Sequence, residues 1–424
     1  MFVGTVEEGL GVYVYPTDRF KTVTLYAAWI SDLRSDTAAL TALVPYCLRR
    51  GTVKWPSFGA MEARLDDLYG ASFRADVGKL GDKQLLSFRL EVADGRFLPG
   101  HPDTLAEGLE FLAQVMQHPA LEGDRFASDM VDQEKEILRR QIEGLINDKA
   151  QYATIRCLEQ MAGPAAFGIR RYGRAEDLEG IDAERVTEWW RHGKRGWPLV
   201  VFVVGAADPG RVTRLVRDIW SGRDPAAFRP VPEFAPRDVE QVVVERQEVQ
   251  QGKLAIGYGT GVRLKDAAYP ALMMYAGVLG GFAHSKLFIN VREKASLAYY
   301  AYARLDAAVG LLLIGAGIEF KDFDAAVGII RRQVDDMAAG RISDEEMAFT
   351  VRAFMNELRS EADSPGALIG RELERLIVGG GPSSEELETM LGSVSVADIR
   401  DVAQRVQLDT IYFLTAREEG SSDA

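Results

Sequence analysis

Residues Ala39–Thr52 read ALTALVPYCLRRGT. Leu40, Leu43, Val44, Cys47 and Leu48 recur at offsets of three, four, seven and eight, the spacing of one apolar helical stripe against a core. The opposite face carries Ala42, Pro45 and Tyr46. Ser35 or Asp36 is placed to cap this helix. Pro45 lacks an N–H and its ring opposes the carbonyl of Thr41, at a cost of about 3 kcal/mol unless the helix bends, so a kink is predicted there. Gly51 is predicted to end it.

Upstream, two strand-like segments occupy residues 10–30, broken at Thr17–Lys21, and Thr22–Ile30 (TVTLYAAWI) is rich in β-formers. Downstream, a helix near Ser57–Leu68 stops at Tyr69–Gly70. Two strand signals, Ala71–Val77 and Gln84–Val92, then flank the polar turn Lys79–Lys83 as a hairpin. Asp103–Gln117 is amphipathic. Asp124–Asn147 reads as a long charged helix with Ile137, Leu138, Ile142, Leu145 and Ile146 on its buried side, and Tyr152–Met161 as another helix. Gly163–Gly173 is loop-like, Ala183–Trp190 helical, and Leu199–Val204 (LVVFVV) a central buried strand, with a helix following from Pro209.

Pro225, Pro230, Pro232 and Pro236 crowd a stretch without periodicity, which marks residues 221–238 as a linker between residues 1–220 and 239–424. Beyond it the element order repeats. Lys253–Thr260 is a strand followed by a capped helix, Asp266–Leu279. Leu297–Arg304 and Leu311–Phe320 form a strand pair. Phe323, Val327, Ile330, Val334 and Met337 mark an amphipathic helix ended by Gly340, and Ser343 with Glu346 forms a capping box opening a long helix. Val394–Val406 leads into a buried strand, Thr410–Leu414. This order predicts an α+β protein of two homologous domains, each a mixed sheet packed with helices and related by duplication.

A length of 424 residues exceeds the usual span of one core, and 47% hydrophobic with 27% charged residues is the composition of a globular chain. A net charge of −13 and a pI near 5.0 argue against nucleic acid or an anionic membrane as the main partner. The two cysteines, Cys47 and Cys157, read as buried, reduced thiols. MFVGTVEEGL has neither a basic start nor a long apolar segment, so no secretory signal is expected. The longest apolar runs, near Leu199–Ala207 and Ala271–Ala283, are too short for a membrane span, and a cytoplasmic location is expected. Gly277, Gly280 and Gly281 lack a following Lys-Ser/Thr and come after a helix, which excludes a phosphate loop. The basic patch Arg170–Arg174 reads as solvated.

Several motifs in order resemble the pitrilysin/insulinase-type zinc metallopeptidases. They are R-R-G-T at Arg49–Thr52, E-K-E-I-L at Glu134–Leu138, V-V-G-A after the first buried strand, L-G-G-F-A-H-S-K-L-F at Leu279–Phe288 and V-R-E-K-A-S-L-A-Y at Val291–Tyr299. The resemblance covers essentially the whole chain. Y-C-L-R-R-G-T and L-D-D-L-Y-G-A-S-F (Leu65–Phe73) are also similar to the peptidase-like proteins associated with elongation factor P modification in some bacteria. Those come as two related proteins, one with the zinc motif and one without.

Active relatives carry H-x-x-E-H, whose histidines bind zinc and whose glutamate activates water, with a later glutamate as third ligand. The resemblance places these positions at Ala42, Pro45, Tyr46 and Gln141, a degenerate set from which no metal binding or catalysis by this chain alone is expected. His101, His118, His192 and His284 show no i, i+3 or i, i+4 pairing, and each reads as a surface or capping residue. Relatives also carry an Arg and a Tyr seven residues apart that reach the substrate backbone, and Arg292 and Tyr299 keep that spacing. Read from spacing alone, Arg292 pairs with a surface carboxylate and Tyr299 is half-buried in a strand. The resemblance instead implies a substrate-binding pair. It implies a non-catalytic subunit of a heterodimeric zinc endopeptidase, with zinc in the partner and a peptide or unfolded polypeptide as substrate. The alternative is a homodimeric polypeptide-binding or scaffold protein linked to elongation factor P modification.

Overall fold

The computed structural model describes residues 1–7, 9–224 and 229–417. The first sheet has six strands: β1 (Val3–Glu7), β2 (Leu10–Pro16), β3 (Thr22–Asp32), β4 (Ser72–Leu80), β5 (Lys83–Ala93) and β6 (Leu199–Gly205). The second has five: β7 (Gln241–Gln247), β8 (Gly252–Gly259), β9 (Ala298–Asp306), β10 (Leu311–Ile318) and β11 (Gln407–Ala416). Helices α1 (Ala38–Leu48), α2 (Phe58–Asp67), α3 (Thr104–Gln117), α4 (Ser128–Glu143), α5 (Lys149–Ala162), α6 (Ala183–Gly196) and α7 (Pro209–Ile219) lie in the first half of the sequence. Helices α8 (Tyr269–Ala276), α9 (Phe323–Ala338), α10 (Asp344–Glu361), α11 (Pro365–Val378), α12 (Ser384–Leu391) and α13 (Val396–Ala403) lie in the second.

The duplication is explicit in the sheets. Strands run β1-β2-β6-β3-β5-β4 in one and β7-β11-β8-β10-β9 in the other. In each, one outer-side pair is parallel (β2/β6 and β7/β11) and the remaining pairs are antiparallel. The central strand β6 is buried along its whole length, which is why it reads as an unbroken apolar run rather than an alternation. The β4–β5 hairpin is tighter than the predicted five-residue turn. It closes through Gly81 and Asp82, with Gly81 in the left-handed region at φ 55°. The Ser343–Glu346 capping box forms as expected.

Several local expectations are corrected. The N-cap of the helix after β3 is Thr37, whose side chain makes no capping bond, and Asp36 is instead held in a fork by Arg34 at 3.1 and 2.9 Å. It runs through Pro45 to Leu48 and finishes at Arg49, before Gly51. The charged helix begins at Ser128 and ends at Glu143, with a 3-10 turn over Gly144–Asn147. Ile137 and Ile146, expected inside, are 47% and 43% exposed, because the buried face of α4 is set by Val131, Glu134, Leu138 and Ile142. Asp266 accepts from the Arg263 N–H at 2.7 Å, and α8 starts at Tyr269 without a side-chain cap.

Two compact units emerge that exchange segments between the sequence halves. One comprises Met1–Glu143, Ile169–Arg229 and Asp363–Leu373; the other Gly144–Gly168, Pro230–Ala362 and the chain from Glu374. Helix α5 therefore belongs with the second sheet. Its Ala153, Cys157 and Met161 are buried, and the Cys157 thiol lies 3.9 Å from the Thr410 carbonyl. A Cβ at Gly257 would fall 2.0 Å from Met161 Sδ, so that glycine is what lets α5 approach β8. Of the predicted linker 221–238, residues 225–228 lie outside the described residues. Further on, Val231 and Phe234 are buried, and Arg237 binds Asp409 through its backbone N–H (2.8 Å) and guanidinium (3.3 Å).

In the second unit, Glu245 on β7 gathers a ring of donors. Burial opposes its ionisation, yet hydrogen bonds from Tyr412 (2.7 Å), Tyr152 (2.7 Å), Gln247 (2.6 Å) and Arg156 (3.0 Å) outweigh it and hold the carboxyl at about 2. A depressed folded-state pKa adds stability above the ordinary carboxylate value, about 4.3, which is lost as pH falls toward the folded value. Glu245→Gln is therefore expected to flatten the acid limb of stability. The difference in urea midpoint between wild type and variant should shrink from pH 5 to pH 2; a constant difference over that window counts against the assignment.

Candidate functional site

All eleven residues of α1 are buried, so the helix has no solvated face and Ala42, Pro45 and Tyr46 are as enclosed as the predicted stripe. A helix apolar all round belongs inside a core. Thr41 is tied in as well, accepting the Trp189 indole N–H at 2.8 Å. The two family-like motifs R-R-G-T and E-K-E-I-L meet directly. Glu134 on α4 is 1% exposed and lies 3.2 Å from Arg49 and 3.0 Å from Arg50.

Tyr46 and Gln141, far apart in sequence, are brought together. The Tyr46 hydroxyl donates to Asp76 Oδ1 on β4 at 3.0 Å and sits 3.5 Å from the Tyr172 hydroxyl oxygen. Gln141 Nε2 donates to that same Tyr172 oxygen at 2.9 Å, and Tyr172 donates to Asp76 Oδ1 at 3.4 Å. Burial, reinforced by Tyr172 and Asp76, pushes the Tyr46 phenol far above its ordinary pKa, so it stays neutral. Asp76 and Tyr172 were not foreseen as site residues. A lone aspartate in a strand and a tyrosine within an arginine-rich loop carry no spacing signal.

These side chains do not fit zinc, which takes imidazole, thiolate or carboxylate. Ala42 and Pro45 offer no donor atom, Tyr46 is a neutral phenol already bound to Asp76, and Gln141 presents an amide. Among the described residues, no group of three or more His, Cys, Asp or Glu is arranged to hold a metal. The histidines are dispersed: His118 ends α3, His192 stacks on Trp189 with ring centroids 5.2 Å apart, and His284 lies 3.1 Å from the Thr350 hydroxyl.

Arg292 and Tyr299 lie in consecutive elements of the second unit. Arg292 occupies a π-helical segment, Phe288–Lys294, and its guanidinium rests 4.6 Å over the Phe288 ring. Among the described residues it has no carboxylate partner. The chain folds back through a bond from Leu297 N–H to the Val291 carbonyl (3.1 Å), with Ser296 at φ 53°. On β9, Ala298 pairs with Ile318 and Tyr300 with Gly317, leaving Tyr299 as the extra residue of a β-bulge, 78% exposed. Bulges re-aim side chains in this way. No hydrogen bond joins Arg292 and Tyr299 among the described residues. No helix among them is long and apolar enough to cross a membrane.

Comparison with known proteins agrees with this architecture. Residues 180–354 match the peptidase M16 inactive domain. The chain is 34% identical over 414 residues to the probable inactive metalloprotease YmfF of Bacillus subtilis (strain 168), covering 97% of each. It superposes on a conserved protein from Enterococcus faecalis V583 with a TM-score of 0.90 and 26% identity, over 99% of this chain and 100% of the other. The peptidase M16 inactive domain structure from Pseudomonas fluorescens shares the fold, with a TM-score of 0.81 and 15% identity over 99% and 98%. The chain belongs to the peptidase M16 family, the pitrilysin/insulinase type. Within it, this is a peptidase homologue that is not catalytic on its own.

Proposed function

We propose that the chain is the non-zinc subunit of a two-chain M16 peptidase, in which Arg292 and Tyr299 complete the active site of a related subunit that carries the metal. The observation that supports this most is the state of the two side chains. Arg292 has no carboxylate partner among the described residues, and Tyr299 is turned outward by a bulge. Both features run against the bland reading of a paired arginine and a half-buried tyrosine. A guanidinium and a phenol donate to a peptide carbonyl and to the oxyanion formed when water attacks it, where fixed donors contribute most. The polypeptide lies extended, adding a strand to a sheet edge, and β4 and β9 are outer strands of their sheets. Zinc and its activated water belong to the partner. The acidic composition and two buried free thiols accord with a cytoplasmic setting.

The test is reconstitution with a related chain from the same organism that bears an intact H-x-x-E-H. The pair is expected to cleave an unstructured peptide that neither subunit cleaves alone. Arg292→Ala and Tyr299→Phe are each expected to lower kcat by roughly a hundredfold, the loss typical of one oxyanion donor. Full activity of the partner alone, or wild-type rates in both variants, would sink the proposal. A stable homodimer that ignores the partner yet holds unfolded polypeptide would favour the scaffold reading instead.

A further inference from the structure

The loop that carries Tyr172 is held in place at several points. Lys79 donates to the Ile169 carbonyl at 2.8 Å, and the fully buried Gln84 amide bridges the Arg171 carbonyl (2.6 Å) and the Ala38 carbonyl at the start of α1 (2.9 Å). Gly173, at φ 66°, lies so close to α1 that a Cβ there would sit 2.9 Å from Ala39 N. The Arg171 guanidinium caps the Tyr172 ring from 4.4 Å. The backbone of Arg170–Arg174 is thus fastened while Arg171 and Arg174 stay exposed, as the solvated reading expects, and the stretch delivers one phenolic oxygen into the space between α1, α4 and β4.

We propose that Tyr172 is a built-in plug: its hydroxyl occupies the point on which side chains at positions 46 and 141 converge, and so weakens metal binding there even when ligands are supplied. This rests on reading 42, 45, 46 and 141 as the former metal positions. The geometry is direct. The Tyr172 oxygen is 2.9 Å from Gln141 Nε2, 3.5 Å from the Tyr46 oxygen and 3.4 Å from Asp76 Oδ1. Zinc–ligand bonds are about 2 Å long, so an ion bound between ligands introduced at positions 46 and 141 would compete with that hydroxyl for the same space. Zinc binding is thus opposed in two different ways: the donor atoms are absent, and the space between positions 46 and 141 is filled.

The experiment compares full-length chains carrying Ala42→His, Pro45→Glu, Tyr46→His and Gln141→Glu, with and without Tyr172→Leu, a change that keeps apolar packing but removes the hydroxyl and shortens the side chain. Zinc content after dialysis and zinc Kd from a chelator competition are the readouts, with a cooperative melt as the check of folding. The chain with Tyr172→Leu is expected to retain one zinc. The chain with Tyr172 should bind at least about tenfold more weakly, within the range by which surrounding groups alter metal affinity. Tyr172→Leu alone should bind none. Equal affinity in the two ligand-restored chains overturns the plug and leaves the positional reading standing; no zinc in either folded chain overturns the positional reading itself. Because Ala42→His adds bulk to a fully buried site, the lighter pair Tyr46→His with Gln141→Glu is run in parallel. It should show the same ordering with Co²⁺ absorption, and the reverse or no ordering there also overturns the plug.

Discussion

Glu134→Ala is expected to destabilise the first compact unit by about 3 kcal/mol, the lower end of the cost of breaking a buried ion pair. The carboxylate is 1% exposed and serves two guanidiniums at once, Arg49 at 3.2 Å and Arg50 at 3.0 Å. Its removal leaves two adjacent cations without their shared anion. Those side chains keep about a third of their exposure, so they regain some hydration, which places the effect at the low end. Urea unfolding checks it: the midpoint falls with little change in slope, and Glu134→Gln recovers only part of the loss because an amide accepts without neutralising charge. A shift under about 0.5 kcal/mol, the scale of an ordinary surface substitution, would show that the pair is solvated rather than structural.

Cutting the chain at the proline-rich segment is expected to have a still larger effect. A fragment of residues 229–424 lacks α5, and with it Ala153, Cys157 and Met161 from the core of the second unit and the Tyr152 and Arg156 bonds to Glu245. Burial of Met161 alone is worth about 1.5–3 kcal/mol, and loss of α5 also uncovers the faces of β8 and β11 on which it packs, a deficit that approaches the whole stability of a domain. The fragment alone should show no cooperative melt. A fragment of residues 1–224 conversely lacks the Asp363–Leu373 segment, which brings Asp363 to 3.2 Å from Arg19. Mixed, the two fragments should restore a cooperative transition, since each supplies the other's missing segment. Independent, stable folding of residues 229–424 would contradict the exchange.

The duplicated order of elements was legible because strands and amphipathic helices announce themselves locally. TVTLYAAWI, LVVFVV and KLAIGYGT became β3, β6 and β8, and the Ser343–Glu346 box formed as its spacing required. What failed was anything that depended on the opposite wall. Ile137 and Ile146 follow helical spacing as well as Leu138 does, yet α4 presents Ile137 to solvent because its neighbours meet a different face, and Ile146 is exposed in the 3-10 turn beyond the helix end. The same limit applied to α1. Its apolar stripe lies in the core, but β4, β5, α4 and α6 together enclose the helix, so no part of it is solvated. Asp36 looked like a cap and became the partner of Arg34, since nearby charge competed for the same carboxylate.

At the site the division is similar. The residue types at 42, 45, 46 and 141 are covalent facts of the chain, and their chemistry rules out a conventional zinc set before any folding is considered. The family, the repeated α+β order and the seven-residue spacing of Arg292 and Tyr299 are likewise written in the linear order. Only the tertiary structure decided that Tyr46 and Gln141 share one phenolic oxygen, that Asp76 anchors it, and that a bulge turns Tyr299 outward. It alone decided that α5 leaves its sequence half to cover the second sheet. The reason is range. Propensity and periodicity act over one or two turns, whereas these features arise between residues tens to hundreds of positions apart, whose meeting is set by which apolar faces find each other.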